Sequence, residues 1–206
     1  MVRETGYPPR PDTAHSVGRR LRLSTETPKS RTKGLVIVHT GDGKGKTTAA
    51  LGMAFRAVGH RYRVAVVQFI KGTIRTGEEQ AAKMLAPYID WTIGGRGFTA
   101  GPWNRASQEE HRQAAQEALR IAEEKLKSGE FRMVILDEVL GAIRAGLVTT
   151  QQLLDLIRSK PPSVHLVLTG RDAPREIIDA ADLVTEMRII KHPYERGIVA
   201  QKGVEF

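Results

Sequence analysis

Residues 38–48 read "VHTGDGKGKTT", and the Gly-Lys-Thr near their end has the residue types needed to hold phosphate. The usual phosphate loop is G-x-x-x-x-G-K-[ST]. Gly45, Lys46 and Thr47 satisfy its end, but counting back five positions from Gly45 gives Thr40, and Gly41 comes one place late. In such a loop the backbone N–H groups of Thr40, Gly41, Asp42, Gly43, Lys44, Gly45, Lys46, Thr47 and Thr48 would turn toward phosphate oxygens. The dipole of the following helix would reinforce them. Lys46 would bridge phosphates, the Thr47 hydroxyl would hold Mg²⁺, and Lys44 would add a second cation. A glycine-rich turn without a ligand is the competing reading. The setting argues for phosphate, because "LVIV" (35–38) reads as a buried strand and Lys46–Gly59 as an Ala-rich helix.

"RMVILDE" (132–138) is an apolar strand ending in Asp137 and Glu138. Acids at a strand's carboxyl end, beside a phosphate loop, are the expected metal-side partners. One of them should meet Mg²⁺, or Mn²⁺ in its place, directly or through water. Taken alone, such an acid is often only a helix cap. Glu138 could also act as a base, so hydrolysis of the nucleotide stays open. No kinase lid or helicase-like motif set accompanies the loop.

Around these motifs, apolar runs alternate with helix-length segments. Strands are expected at 64–70, 89–93, 164–170 and 183–190, with a terminal hairpin in "GIVAQKGVEF". Helices are expected at Glu78–Leu85, Ser107–Lys127, Thr149–Arg158 and Pro174–Ala180. Ser107 followed by Glu110 makes a capping box. Continuous apolar strands separated by helices predict a largely parallel sheet covered on both faces. The fold class is therefore α/β, one domain over 34–206 behind a flexible basic extension, 1–33.

With 206 residues, 40% of them hydrophobic, the chain can bury a full core. It has no cysteine, which removes disulfides, thiolate metal sites and cysteine nucleophiles and is compatible with a reducing cytoplasm. No apolar run approaches the ~18 residues of a membrane span, and the N-terminus has no signal-peptide core. The net charge is +9, but residues 1–34 hold eight Lys/Arg against three acids and so supply +5 of it. That tail is a solvated extension, a segment that closes over a substrate or partner subunit, or a nucleic-acid arm. The 5% aromatic content and the lack of a stacking motif disfavour the last.

With both motifs in place, the chain resembles the ATP:corrinoid adenosyltransferases. The similar stretches are "TGDGKGKTTAALGMAFRAVGH", "VVQFIKG", "RGFT", "VILDE", "LVLTGRDAPREIIDAADLVTEMR" and "KHPYERGIVAQKGVEF". Together they run from about Gly34 to Phe206. The family's loop also carries Thr before the first glycine, so Thr40 fits its pattern. The resemblance implies a P-loop NTPase-like fold of the recombinase type. It also implies attack by Co(I) of a reduced corrinoid on the 5′-carbon of ATP, with loss of inorganic triphosphate.

Such chemistry needs neither a protein base nor a cysteine, since the metal of the substrate is the nucleophile. The protein must hold the ribose carbon near cobalt and neutralise the departing triphosphate. Lys44, Lys46, Thr47, the loop amides, and Mg²⁺ held with Glu138 would do so. The family's "GFTW" loop, whose aromatic residues press on the corrin face, is matched by Phe98. Ala100 takes the tryptophan place and Trp103, in "GFTAGPW", is the stand-in. Packing of that loop is the other reading of both rings. Resemblance further places Arg56, Arg171 and His192 near nucleotide phosphate or sugar, with Gln68 a weaker candidate. Asp182 and Glu186 fall in a matched block without a chemical role.

The implied partners are ATP, a reduced corrinoid, a flavoprotein-type reductant and a second copy of the chain. Neither nucleic acid nor membrane is expected. The competing functions are a P-loop ATPase motor or switch, on nucleic acid through the tail, and a nucleotide-binding module without catalysis.

Overall fold

The computed structural model describes residues 33–70, 76–95, 97 and 106–205. Six strands run β1 (Val36–Thr40), β2 (Val64–Gln68), β3 (Ile89–Ile93), β4 (Met133–Asp137), β5 (His165–Thr169) and β6 (Leu183–Glu186). They form one sheet in the order β3-β2-β4-β5-β1-β6, and every pairing is parallel. The helices are α1 (Lys46–Gly59), α2 (Gly77–Met84), α3 (Gln108–Lys127), α4 (Val139–Arg144), α5 (Thr150–Ser159) and α6 (Arg175–Ala180). A 3₁₀ turn follows at Pro193–Arg196. This is the expected α/β architecture.

Strand alternation divides the core between the two faces of the sheet. Val36, Val38, Val134, Leu136, Leu166 and Leu168 point to the face covered by α3, α5 and α6, where they meet Ala115, Ala118, Leu153 and Ile177. Ile37, Val64, Val66, Ile135 and Val167 point to the other face and pack on Ala50, Ala54 and Ala57 of α1. Alanines at i, i+4 and i+7 make one helix stripe and let the backbone of α1 lie close to the sheet. Each fully buried Val or Leu contributes about 1.5–3 kcal/mol relative to exposure, as an upper bound. β1, β2 and β4 are buried at all five positions, which explains the apolar runs 36–38, 64–67 and 133–136 that precede their polar ends.

Four segments differ from the sequence expectation. The strand at 132–138 stops at Asp137 because Glu138 turns into the left-handed region (φ 60°) and opens α4, a helix too short to show a period. β2 stops at Gln68, although Phe69 still donates its N–H to the Asp137 carbonyl at 2.9 Å. β6 stops at Glu186, where the chain folds over the phosphate loop: Met187 donates to Thr40 O at 2.7 Å and accepts from Gly43 N at 2.7 Å. No terminal hairpin occurs among the described residues. Gly197 (φ 71°) turns the chain, Val204 and Glu205 both donate to Gln201 O, and the Glu205 carboxylate is drawn to Lys44.

Asp182, without a role in the sequence reading, ties the β6 edge to β1. Its carboxylate accepts from Val36 N at 2.8 Å and from Lys33 Nζ at 2.6 Å. The Lys33 hydrogen bond, followed by that from Val36, holds its pKa below the usual carboxylate value. That stabilisation is present above the unfolded-state pKa and is lost as pH falls through the folded one.

Candidate functional site

The site lies at the carboxyl edge of the sheet, where β1, β4 and β5 end. Thr40 is the last residue of β1, paired with β6. Its carbonyl accepts from Met187 and its hydroxyl accepts from Ala173 N at 3.2 Å. An extended, doubly bonded residue is what this position requires, so a glycine here would gain nothing. The left-handed turn comes one residue later, at Gly41 (φ 96°). A Cβ on Gly41 would sit 2.4 Å from the Met187 carbonyl oxygen, and one on Gly43 would sit 2.7 Å from it. These glycines admit the crossing 187 segment as well as a ligand.

Gly45 (φ 109°) starts α1, and no side chain caps the helix. By contrast, α3 and α5 both carry complete capping boxes, Ser107–Glu110 and Thr149–Gln152. The first-turn amides of α1, including that of Thr48, are therefore a ready anion site. Lys46 is buried, at 8% exposure, and its Nζ donates to Gly41 O and Gly43 O at 2.7 Å each. Burial lowers its pKa; Glu138 is the main opposing influence, while the Arg171 and Lys44 charges act with burial. The ammonium is thus cross-bracing the loop from the position where a phosphate would receive it.

Asp137 stands one strand away, because β5 lies between β1 and β4. Thr169, the last residue of β5, bridges that gap: its hydroxyl donates to Asp137 Oδ1 at 2.8 Å and accepts from Glu138 N at 2.9 Å. Thr47 also donates to Asp137 Oδ1, at 2.8 Å, and Gln68 donates to Oδ2 at 3.0 Å. Asp137 is 1% exposed and meets three donors, so it fixes Thr47 in place. Asp137→Ala would leave these groups without their acceptor and should cost roughly 2–4 kcal/mol in urea unfolding. A loss under about 0.5 kcal/mol, the ordinary range for surface changes, would deny the network that role.

Glu138 carries its carboxylate over Gly141, where an added Cβ would lie 3.0 Å from Oε2. Its charge is the largest one opposing the depressed pKa of Lys46, so it faces the phosphate loop. The Thr47 hydroxyl, with Asp137 behind it, and the Glu138 carboxylate are hard oxygen donors that fit Mg²⁺. No group of three or more His, Cys, Asp or Glu that could hold a metal occurs among the described residues. A site for Mg²⁺ needs only one or two carboxylates beside substrate phosphates.

Arg171 follows β5 and reaches the same edge, its Nε 3.8 Å from Asp42 Oδ1. His192 arrives on the segment after β6 and shares a cavity with Lys44. Arg56 does not join them. It lies ten residues along α1 from Lys46, about 15 Å at 1.5 Å per residue, in a different cavity with His60, Arg132 and His165. A single helix cannot present both ends to one phosphate. Phe98 and Trp103 lie outside the described residues. Gly97, just before them, is tied by its N–H to Ile70 O at 3.1 Å, past the end of β2.

The sequence reading missed Thr169, Met187 and Glu205. A polar residue closing the apolar run "HLVLT" was the available signal for Thr169. Glu205, 3.0 Å from Lys44, and Met187 had no local signal. Glu186 packs its Cγ against Gly41, which supplies the structural role that the sequence left blank. His39 is buried with neither ring nitrogen hydrogen-bonded, and burial lowers its pKa. It packs as a neutral ring.

Comparison with known proteins adds three findings. The flagellar accessory protein FlaH of Methanocaldococcus jannaschii superposes with a TM-score of 0.52 at 15% identity, covering 75% of this chain and 71% of that one. That likeness concerns the fold alone. Proteins named corrinoid adenosyltransferase are similar over most of their length. The Sinorhizobium sp protein is 43% identical over 180 residues, 86% of this chain and 83% of the relative. The Pseudomonas aeruginosa protein is 40% identical over 174 residues, 84% of each. The family model for ATP:corrinoid adenosyltransferase BtuR/CobO/CobP matches residues 32–206, a span that takes in the phosphate loop, the Asp137 network and the segment crossing over them, and the chain belongs to that family.

Proposed function

We propose that the protein transfers the 5′-deoxyadenosyl group of ATP to the Co(I) of a reduced corrinoid. The observation that carries this reading is the family match across residues 32–206. The phosphate loop supports it, with Lys46 bracing the loop carbonyls and Thr47 hydrogen-bonded to Asp137. In the reaction, the cobalt electron pair attacks the ribose 5′-carbon, the C–O bond breaks, and its electron pair leaves on triphosphate oxygen. Lys46, the loop amides and Arg171 hold that leaving group and offset its charge. Mg²⁺, held by Thr47 and Glu138, would neutralise phosphate charge. Phe98, with Trp103 as the stand-in for the tryptophan that Ala100 replaces, would contact the corrin face. The alternative, an ATPase motor or switch, is not favoured by the family.

The finer parts of the proposal are a cytoplasmic enzyme, a flavoprotein-type reductant, Mn²⁺ as a substitute ion, and a homodimer with residues 1–33 as a separate extension. The exposed Leu183 and Val184 on the β6 edge support a second copy docking there. No helix among the described residues is long and apolar enough to cross a membrane. The test is an anaerobic incubation of the protein with MgATP and chemically reduced cob(I)alamin. A light-sensitive alkylcobalamin spectrum is expected. Unchanged cobalamin alongside ADP release stimulated by DNA or RNA would sink the reading.

A further inference from the structure

We infer that the cavity beside the phosphate loop, framed by Lys44, Arg188, Lys191 and His192, is a second anion subsite that holds a phosphate of the leaving triphosphate. The inference rests on the proposed reaction. When the bond breaks at the ribose carbon, all three phosphates depart as one highly charged ion. The loop offers Lys46, Thr47 and the amides of one helix turn to one end of that ion. The other end needs its own cations.

The structure builds them into the loop's rim. Because Met187 O accepts Gly43 N–H at 2.7 Å, the chain that follows is stitched to the loop. Arg188, Lys191 and His192 are thereby carried next to Lys44. The cavity has a volume of about 310 Å³, with Ile189 and Ile190 completing its wall and no acidic side chain lining it. His192 Nδ1 accepts from Tyr194 N at 3.1 Å, which leaves Nε2 as the ring's donor. Lys44, Arg188 and Lys191 place three cations around the cavity beside the His192 ring, a setting that favours an anion. Lys44 already shows the preference: Glu205, near the chain end, places a carboxylate oxygen 3.0 Å from its Nζ. A phosphate oxygen would take that place.

Anionic groups reach this edge from two sources, the triphosphate and carboxylates on an incompletely amidated corrinoid. Calorimetric titration with inorganic triphosphate and with orthophosphate, in Mg²⁺, separates them when combined with the corrinoid KM. Arg188→Ala and Lys191→Ala should each weaken triphosphate binding about tenfold, one lost charge-assisted contact. Orthophosphate, held by the loop, should bind them as it binds the wild type, and the corrinoid KM should not move. Lys191→Arg should retain triphosphate binding. Two independent variants guard against one failing to fold, which unchanged melting temperatures would check. Unchanged triphosphate affinity in both overturns the subsite, and so does a raised corrinoid KM with triphosphate binding intact. If the wild type instead releases ADP, the proposed reaction fails first and the subsite falls with it.

Discussion

Lys46→Ala is expected to lower kcat/KM for adenosyl transfer by about 10³-fold or more, at the upper end of what one preorganised charge-stabilising donor contributes. The side chain is buried, and its Nζ donates to Gly41 O and Gly43 O. Exchange of those carbonyls for phosphate oxygens would need little reorganisation, because the ammonium already lies within the loop. Alanine would leave the loop without its brace and, under the proposed reaction, the leaving group without its central cation. The fold should survive, since the helix stripe that packs α1 on the sheet is Ala50, Ala54 and Ala57. Anaerobic steady-state assays beside a melting curve check this. A loss below tenfold in a folded variant would remove Lys46 from the centre of the reaction.

Glu138→Gln should lower kcat/KM by about 10²-fold and raise the Mg²⁺ concentration needed for half-maximal rate. Glutamine keeps the volume over Gly141, so the change is one of charge. A second consequence follows from Lys46, whose pKa burial lowers and Glu138 opposes most. Removal of the carboxylate takes away that opposition, and the ammonium should deprotonate at lower pH. Activity that requires charged Lys46 should therefore fall off on the alkaline side earlier in the variant than in the wild type. A purely structural role for Glu138 would leave the alkaline limb where it is. Rate against pH and Mg²⁺ measures both effects.

Elements governed by local rules were legible in the sequence. α1 spans Lys46–Gly59 as its composition indicated, and the Ser107–Glu110 capping box forms with both of its hydrogen bonds. The apolar runs became parallel strands, and the acids at 137 and 138 lie beside the loop because a strand's carboxyl end faces the ligand crevice. What was not legible depends on contacts between distant residues. Met187 reaches Gly43, Glu205 reaches Lys44, and Thr169 joins Asp137 to Glu138; no spacing rule encodes such pairs. Arg56 lines a different cavity from Lys44 and His192 because ten helical residues carry it well away from the N-terminus of α1. Thr40 looked like a defect when counted against a motif. Its hydrogen bonds to Met187 and Ala173 make it a strand residue whose work ends where the turn begins.

The central claim is that ATP is cleaved at the ribose carbon and not at phosphorus. Phosphorus NMR of a completed anaerobic reaction with cob(I)alamin and MgATP reads this directly. One equivalent of intact inorganic triphosphate per alkylcobalamin formed is the predicted result. ADP with orthophosphate, or AMP with pyrophosphate, as the stoichiometric products would contradict it.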